Sequence, residues 1–299
     1  MNDTATCRYG HSRRERKQNI RAFCFMIPGL VGLYIFFLKP FATVVGFSFS
    51  DNALTRRFAG FKNFTELFGN DAFRHAVLNS AFLALAGTFL LITASLPVAE
   101  FISHAKRFTS ALKTIMMIPF IMPAASIALV FSMLTDHSRF LIGVFQAIGV
   151  GDSHSVSGQY AMLFILFLFL WKNMGYMVLL FGGSLLKADQ NIIEAAKLDG
   201  AGVIRIFFEI KLRSISPSIV FGVLLSIMSS FGMYREVFLI YGSHPPASVY
   251  LISHYLSNTM GMMNYSKMSA AALVVMLTVV ALSVILIAVE KRYGRGMEQ

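Results

Sequence analysis

Charged residues are scarce in this chain, at 14% of its 299 residues. A soluble domain of average composition carries about 25% charged residues. Hydrophobic residues make up 56% of the chain, and the mean hydropathy is +0.64. The chain therefore lacks the polar residues that a water-facing surface needs. This composition is typical of a membrane protein and excludes an ordinary soluble enzyme.

Cysteine and the common ligand-binding motifs are also scarce. The two cysteines, Cys7 and Cys24, provide neither a disulfide framework nor the spacing of a metal site. No two of the seven histidines have HExxH spacing, so we predict no metal. The Gly-x4-Gly-Lys-Ser/Thr phosphate loop is absent as well. We therefore expect this chain to bind no nucleotide in the usual way and to carry no cofactor.

Long apolar runs are present instead. Each is long enough for a helix of about 20 residues that crosses a bilayer and satisfies its own backbone hydrogen bonds. The short alternating segments of a β-barrel are absent. The sequence therefore predicts an all-α membrane protein with about six transmembrane helices. These apolar runs lie near residues 21–49, 76–102, 110–134, 158–183, 217–240 and 269–290.

The net charge of +11 is distributed unevenly between the apolar runs. Lys and Arg concentrate in the N-terminal tail, in two of the loops and at the C-terminal end, which predicts that both termini are cytoplasmic. No basic face with interleaved aromatic residues is present, so we expect no nucleic-acid partner. We predict an N-terminal tail (1–20), a transmembrane domain (21–290) and a C-terminal tail (291–299). The outer loops hold only Arg56, Arg57, Lys62, Arg74, Arg139 and Lys267.

The longest inner loop, 184–216, has helical features of its own. Residues Ile192 to Asp199 have the pattern of a short amphipathic helix, and Gly200 is suited to end it. A second helical stretch, from Ile204 to Leu212, leads towards the fifth apolar run. From spacing alone, the alternative is an amphipathic loop that lies on the lipid surface.

The sequence from Glu194 to Ala201, EAAKLDGA, resembles the EAA loop of bacterial ABC importer permeases. The family pattern is Glu-Ala-Ala, three residues, Gly, nine residues, then Ile-x-Leu-Pro. Ile210 and Leu212 match this pattern, whereas Arg213 stands where proline is usual. The segments Phe61 to Phe68 and Gly242 to Pro246 look like outer segments of the carbohydrate branch of the family.

This resemblance implies a type I ABC importer permease in the cytoplasmic membrane. It also implies a second homologous permease, an extracellular solute-binding protein and a dimer of ATP-binding subunits that holds ATP and Mg. The permease itself would not be an enzyme. The cargo would be a sugar or a related solute, since oligosaccharide and glycerol-phosphate permeases share these features. The residues implied to couple to the ATPase are Glu194, Ala195, Ala196, Asp199 and Gly200.

Physical chemistry is consistent with that role for the loop. Ala195 and Ala196 would give the short helix a small face that fits into a groove on a partner. Glu194 would pair with a basic residue there, and a negative charge near a helix N-terminus is favourable. Gly200 would let the backbone turn.

Polar side chains inside the fourth and fifth runs are candidates for the solute path. Sugars bind to amide and hydroxyl groups beside aromatic rings, which favours Asn173, Tyr176, Ser229 and Tyr234. The alternative is interhelical hydrogen bonding with a sister permease. Lys172 could extend to the membrane surface. The neighbours Arg235 and Glu236 need not pair with each other. Pro97, Glu100, Pro119 and Pro123 are expected to shape kinks or helix ends.

Two other functions remain open at this point. An ion-coupled secondary transporter would need cation sites within discontinuous helices, and few intramembrane carboxylates are present. An intramembrane enzyme would need a Ser/His, paired Asp or zinc-type constellation inside the spans, and none stands out.

Overall fold

A computed structural model of the protein describes residues 23, 25–52, 55–104, 109–137 and 161–294. Almost all of that part is helical, and its extended pairing is limited to a single antiparallel bridge between Ser50 and Phe58. The predicted all-α class is confirmed. The predicted tail 1–20, the outer-loop residue Arg139 and residues 295–299 of the predicted C-terminal tail lie outside the described residues.

The described part of the chain contains twelve helices, α1 to α12, and a short 3-10 helix, Ala247–Val249. Five stretches are long and apolar enough to cross a membrane: α1, α3, α6, α12 and the consecutive pair α9–α10. The helices are α1 (Phe25–Ser48), α2 (Lys62–Phe68), α3 (Asp71–His104), α4 (Thr109–Ile121), α5 (Ala124–His137), α6 (Ala161–Leu185), α7 (Gln190–Leu198), α8 (203–214), α9 (Ser216–Gly232), α10 (Tyr234–Tyr241), α11 (Ile252–Gly261) and α12 (Tyr265–Gly294).

The third apolar run, 110–134, was expected to form one span, but it is broken. Helix α4 ends at Ile121, and α5 leaves it at an angle of 89°. Pro123 accounts for the break, because a proline disfavours the helical conformation of the residue before it, here Met122. The predicted count of about six spans therefore holds when the bent pair is counted as one span.

The main hydrophobic core lies where α3 and α6 pack together, with α4 and α9 alongside. Phe169 and Phe181 of α6 are fully buried in it. Gly175 allows α4 to approach α6 closely, since a Cβ atom built there would lie 1.8 Å from the carbonyl oxygen of Met116. A side chain at position 175 would therefore force the two helices apart.

A second core lies at the N-terminal end of α3. Leu67 of α2, Phe73 of α3 and Tyr255 of α11 are buried together there, and α12 closes the cluster. Lys267 forms an ion pair with Glu66, with a nitrogen–oxygen distance of 2.7 Å. The hydrogen bond from Lys267 lowers the pKa of the Glu66 carboxyl. This cluster fixes the 242–264 segment, which contains α11, against the N-terminal end of α3.

Candidate functional site

Helix α7 confirms the short helix that the sequence predicts in loop 184–216. It begins after Asp189, whose Oδ1 atom accepts a hydrogen bond from the backbone N–H of Asn191 at 2.9 Å. An aspartate in this position satisfies a backbone donor that would otherwise lack a partner and favours the helix start. Asp189 was not predicted as the helix start, although an Asp before a helical pattern is a recognised start signal.

Gly200 ends α7 in the predicted way. Its φ angle is +80°, a left-handed conformation that favours glycine. The N–H of Gly200 donates to the carbonyl of Lys197 at 3.1 Å, and the N–H of Ala201 donates to the carbonyl of Ala196 at 2.9 Å. This pair of bonds is a Schellman motif, which satisfies the last carbonyls of the helix and fixes the direction of the chain after it.

The structure separates the five candidate coupling residues into two groups. Glu194, Ala195, Asp199 and Gly200 are exposed, whereas Ala196 is half-buried against α8. The expected small face of two alanines is therefore reduced to one exposed alanine. Glu194 also lies beyond the first turn of α7, which contains no acidic residue, so its charge does not act at the helix N-terminus as expected.

Helices α7 and α8 form a compact pair, the α7–α8 unit (residues 190–214). Ile193 of α7 and Ile206 of α8 are buried together with Ala188, and Ile210 packs against them. Arg213 continues α8 where the family pattern has proline, and Pro217 lies in the first turn of α9 instead. The chain therefore enters the fifth span about four residues later than the pattern suggests.

The α7–α8 unit carries apolar side chains on its outside. Leu198 is 90% exposed and Ile192 is 53% exposed. The rest of the described chain leaves such side chains uncovered. We call these side chains the apolar surface of the unit. Its members are Ile192, Leu198, Val203, Ile204 and Phe208.

An ion pair attaches the α7–α8 unit to the transmembrane helices. Nζ of Lys211 in α8 donates to Oε1 of Glu100 in α3 at 2.5 Å. The two side chains are only 11% and 19% exposed. Glu100 was expected to shape a helix end, but the structure gives it a specific partner 111 residues away.

Two of the four candidate solute-path residues lie together. The hydroxyl of Ser229 in α9 donates to Oδ1 of Asn173 in α6 at 2.6 Å, and Nδ2 of Asn173 donates to the carbonyl of Phe169 at 2.7 Å. Asn173 is completely buried. This interhelical hydrogen bond forms within the chain rather than with a sister permease.

The other two candidates lie in separate contacts. The ring of Tyr176 packs on Phe120 at a centroid distance of 4.9 Å, and its buried hydroxyl has no hydrogen-bond partner among the described residues. The ring of Tyr234 packs on His254 at 4.7 Å. His254 is buried in α11, and burial lowers its pKa to about 4, so the ring is neutral at pH 7.

A second ion pair joins the membrane spans. Nζ of Lys172 in α6 binds Oε1 of Glu236 in α10, and Glu236 is completely buried. Lys172 therefore does not extend to the membrane surface, and Glu236 pairs with Lys172 instead of its neighbour Arg235. A charge at the centre of a membrane helix costs roughly 2.5–3.5 kcal/mol on insertion scales, which favours such internal pairing.

Comparison with known proteins identifies relatives over most of the chain. A family model described as "Binding-protein-dependent transport system inner membrane component" matches residues 91–298. The probable ABC transporter permease protein YurN of Bacillus subtilis (strain 168) is 27% identical over 283 residues, with 89% of this chain and 94% of YurN covered. The sn-glycerol-3-phosphate transport system permease protein UgpA of Escherichia coli O157:H7 is 30% identical over 217 residues, with 70% and 72% covered.

Solved structures share the fold at low sequence identity. A chain of a bacterial alginate ABC transporter, in complex with an alginate pentasaccharide-bound periplasmic protein, superposes with a TM-score of 0.79 and 18% identity over 95% of this chain and 99% of that one. A chain of a bacterial ABC transporter involved in the import of the acidic polysaccharide alginate gives a TM-score of 0.78 and 19% identity, with 93% and 98% covered. The importer permease fold expected from the sequence is confirmed.

Proposed function

The chain belongs to the family of inner-membrane components of binding-protein-dependent transport systems, and we propose that it forms half of a path for a sugar or a related solute. It is a multi-pass ABC transporter permease, a translocation subunit whose energy comes from ATP hydrolysed by a partner ATPase. The finer steps proposed below are the docking of that ATPase, the path of the solute and its chemical class.

The observation that carries the proposal is the geometry of the α7–α8 unit. Asp189 and the Schellman motif at Gly200 fix both ends of α7. The apolar surface of the unit is left in contact with water in the isolated chain, although burying such side chains is favourable by about 25 cal/mol per Å². We propose that an ATP-binding subunit covers this surface and that Glu194 and Asp199 contact basic residues around its edge.

Transport follows from movement of this unit. A second permease would present an equivalent unit to the other ATP-binding subunit. Binding of ATP would close the ATPase pair and draw the two units together, opening the cavity between the permeases towards the solute-binding protein. Hydrolysis would reverse the movement. ATP would make different contacts in the open and the closed state of the ATPase pair. This difference is required, because a ligand shifts an equilibrium only when it binds the two states with different affinity.

The relatives suggest the chemical class of the solute. UgpA is named for sn-glycerol 3-phosphate, and the solved transporters are named for alginate. Both solutes carry hydroxyl groups and negative charge. In this chain, the Asn173–Ser229 pair and the rings of Tyr176 and Tyr234 provide the amide, hydroxyl and aromatic groups that suit such solutes. We propose that Tyr176 and Tyr234 line the path and that the buried Asn173, bonded to Ser229, supports its wall.

The proposal is tested by purifying the tagged permease with its copurifying subunits and reconstituting the complex in proteoliposomes. The solute-binding partner is added with labelled sn-glycerol 3-phosphate or a neutral oligosaccharide. We expect uptake to require ATP that the ATPase subunits of the complex can bind and hydrolyse. A protonophore should leave the uptake rate unchanged. Uptake that continues without ATP, or that collapses with the proton gradient, would contradict the proposal and favour an ion-coupled carrier.

Replacement Tyr176→Phe tests the assignment of the solute path. The Tyr176 hydroxyl makes no hydrogen bond in the described part of the chain, so its loss leaves no partner unsatisfied. We expect unchanged thermal stability and an apparent solute affinity at least threefold weaker. Unchanged affinity and rate would remove Tyr176 from the path.

A further inference from the structure

We infer that α3 is the rod that transmits movement of the α7–α8 unit to the 242–264 segment, with Glu100 and Lys211 as positioning residues at its input end. The inference rests on the proposed function, because it assumes that an ATPase moves the α7–α8 unit. The link from the α7–α8 unit to α3 is assigned to Glu100 and Lys211, and the sequence of the EAA-like loop does not predict it.

The input end of the rod is the Lys211–Glu100 ion pair. The α7–α8 unit packs mainly on itself, and its own core consists of small and medium apolar residues. The ion pair joins it to α3 at 2.5 Å, in surroundings that exclude most water. A charge-assisted hydrogen bond with low exposure is stronger and less screened than a surface pair. Movement of α8 therefore moves the C-terminal end of α3 with it.

The output end of the rod lies near the N-terminus of α3. Nδ2 of Asn79 donates to the carbonyls of Ala247 and Tyr250, at 2.7 and 3.0 Å. The hydroxyl of Ser80 accepts a hydrogen bond from the backbone N–H of Ile252 at 2.8 Å. These bonds hold the segment just before α11 by its backbone. Because these bonds are made to the backbone of the segment, a shift of α3 moves the segment without relying on its flexible side chains.

Helix α3 is long enough to join the two ends. It runs from Asp71 to His104 with Pro97 inside it, and the 21 residue steps from Asn79 to Glu100 correspond to about 32 Å at about 1.5 Å per residue. The distance approximates the hydrocarbon thickness of a bilayer, about 30 Å. One helix therefore contacts the proposed ATPase-binding unit on one side of the membrane and the 242–264 segment on the other.

Charge reversal tests the input end in the reconstituted full transporter. We expect Glu100→Lys and Lys211→Glu each to keep the ATPase bound with its basal activity, and to lower both uptake and the stimulation of ATPase by the solute-loaded binding protein about tenfold. The double reversal restores the attraction and should recover at least a third of the uptake. The matched control is Glu209→Lys, which reverses a charge in the exposed Arg205–Glu209 ion pair within α8, leaves the link to α3 intact and should keep normal uptake. Full uptake in both single variants, or a double variant no better than either single one, would overturn the inference.

A double-mutant cycle tests whether the two ends act as one device. Effects on stimulated ATPase of Glu100→Gln and Asn79→Ala should combine less than multiplicatively, because either change disconnects the same rod. Sites this far apart normally act independently, so independent, multiplicative effects would overturn the role of α3 as the link. Failure of the proposed function looks different: an unaltered chain that never binds an ATPase.

Discussion

At the scale of single residues, the end of a helix was easier to predict than a contact between residues far apart in the sequence. Gly200 and the helix before it follow from a short stretch of sequence, because helix caps are set by neighbouring residues. The partners of Lys172 and Glu100 could not be predicted from one sequence. Glu236 lies 64 residues from Lys172, and Lys211 lies 111 residues from Glu100. The burial of Ala196 was missed for the same reason, since it depends on how α8 folds back.

Gly200 provides a prediction about the end of α7. Gly200→Val should cost roughly 1–2 kcal/mol, because a β-branched residue is strained at φ +80°. The Schellman motif would loosen, and we expect uptake per ATP hydrolysed to fall several-fold while the complex still assembles. Uptake and ATPase activity are measured in the same vesicles.

Gly200→Asn is the matched control for this change. It also adds a side chain, and no atom lies within 4 Å of the added Cβ position, but asparagine tolerates the left-handed conformation. Near-normal coupling is therefore expected. If valine and asparagine had equal effects, backbone conformation at residue 200 would not be the cause.

His254 provides a prediction about pH. Its pKa is lowered from 6.5 to about 4 by burial, so between these values the unfolded chain binds more protons than the folded one. Its contribution to stability is complete above pH 6.5 and is lost as the pH falls towards 4, by about 1.4 kcal/mol per pH unit at most. Thermal unfolding in detergent at pH 7.0, 5.5 and 4.5 measures this loss. The His254→Gln variant, which cannot titrate there, should show a shallower decline, and an identical decline would contradict the assignment.

At the scale of elements, the positions of the long apolar helices were predicted well, but their breaks and their packing against one another were not. The runs near 21–49 and 76–102 became α1 and α3, because a run long enough to cross a bilayer has few alternatives to a helix. The run 110–134 broke at Pro123, and composition alone cannot give the resulting angle. The close approach of α4 and α6 at Gly175 was also beyond the sequence, since one glycine does not reveal which backbone it faces.

Gly175 provides a prediction about helix packing. Gly175→Ala places a methyl group against the backbone of Met116, which cannot rotate away as a side chain could. We expect a loss of about 2–4 kcal/mol or failure to accumulate folded protein, since overpacking commonly costs about 1–3 kcal/mol and more against backbone. Gly183→Ala in the same helix meets no atom within 4 Å and is the control. Similar melting temperatures for the two variants in detergent would show that α4 and α6 separate at little cost.

At the scale of the whole molecule, the chain has two kinds of exposed apolar surface with different explanations. Most exposed apolar side chains lie on the five stretches long enough to cross a membrane, where the proposed function has lipid or a sister permease cover them. The apolar surface of the α7–α8 unit lies outside those spans, next to charged side chains such as Lys197 and Glu194. An amphipathic unit of this type suits contact with a protein better than insertion into lipid, because its ends are fixed and its inward face is already occupied by its own core.

Leu198 provides a test of whether a protein or lipid covers the apolar surface of the α7–α8 unit. It is 90% exposed, so Leu198→Glu removes almost no contact within the chain and should leave its melting temperature within about 1 °C. A carboxylate buried against an ATP-binding subunit would instead be costly, and we expect at least a tenfold loss of ATPase copurifying with the permease. Leu198→Met, which keeps the apolar contact, should retain it. Normal ATPase binding by the glutamate variant, together with crosslinking of residue 198 to lipid, would show that the α7–α8 unit rests on the membrane and that the energy for transport enters elsewhere.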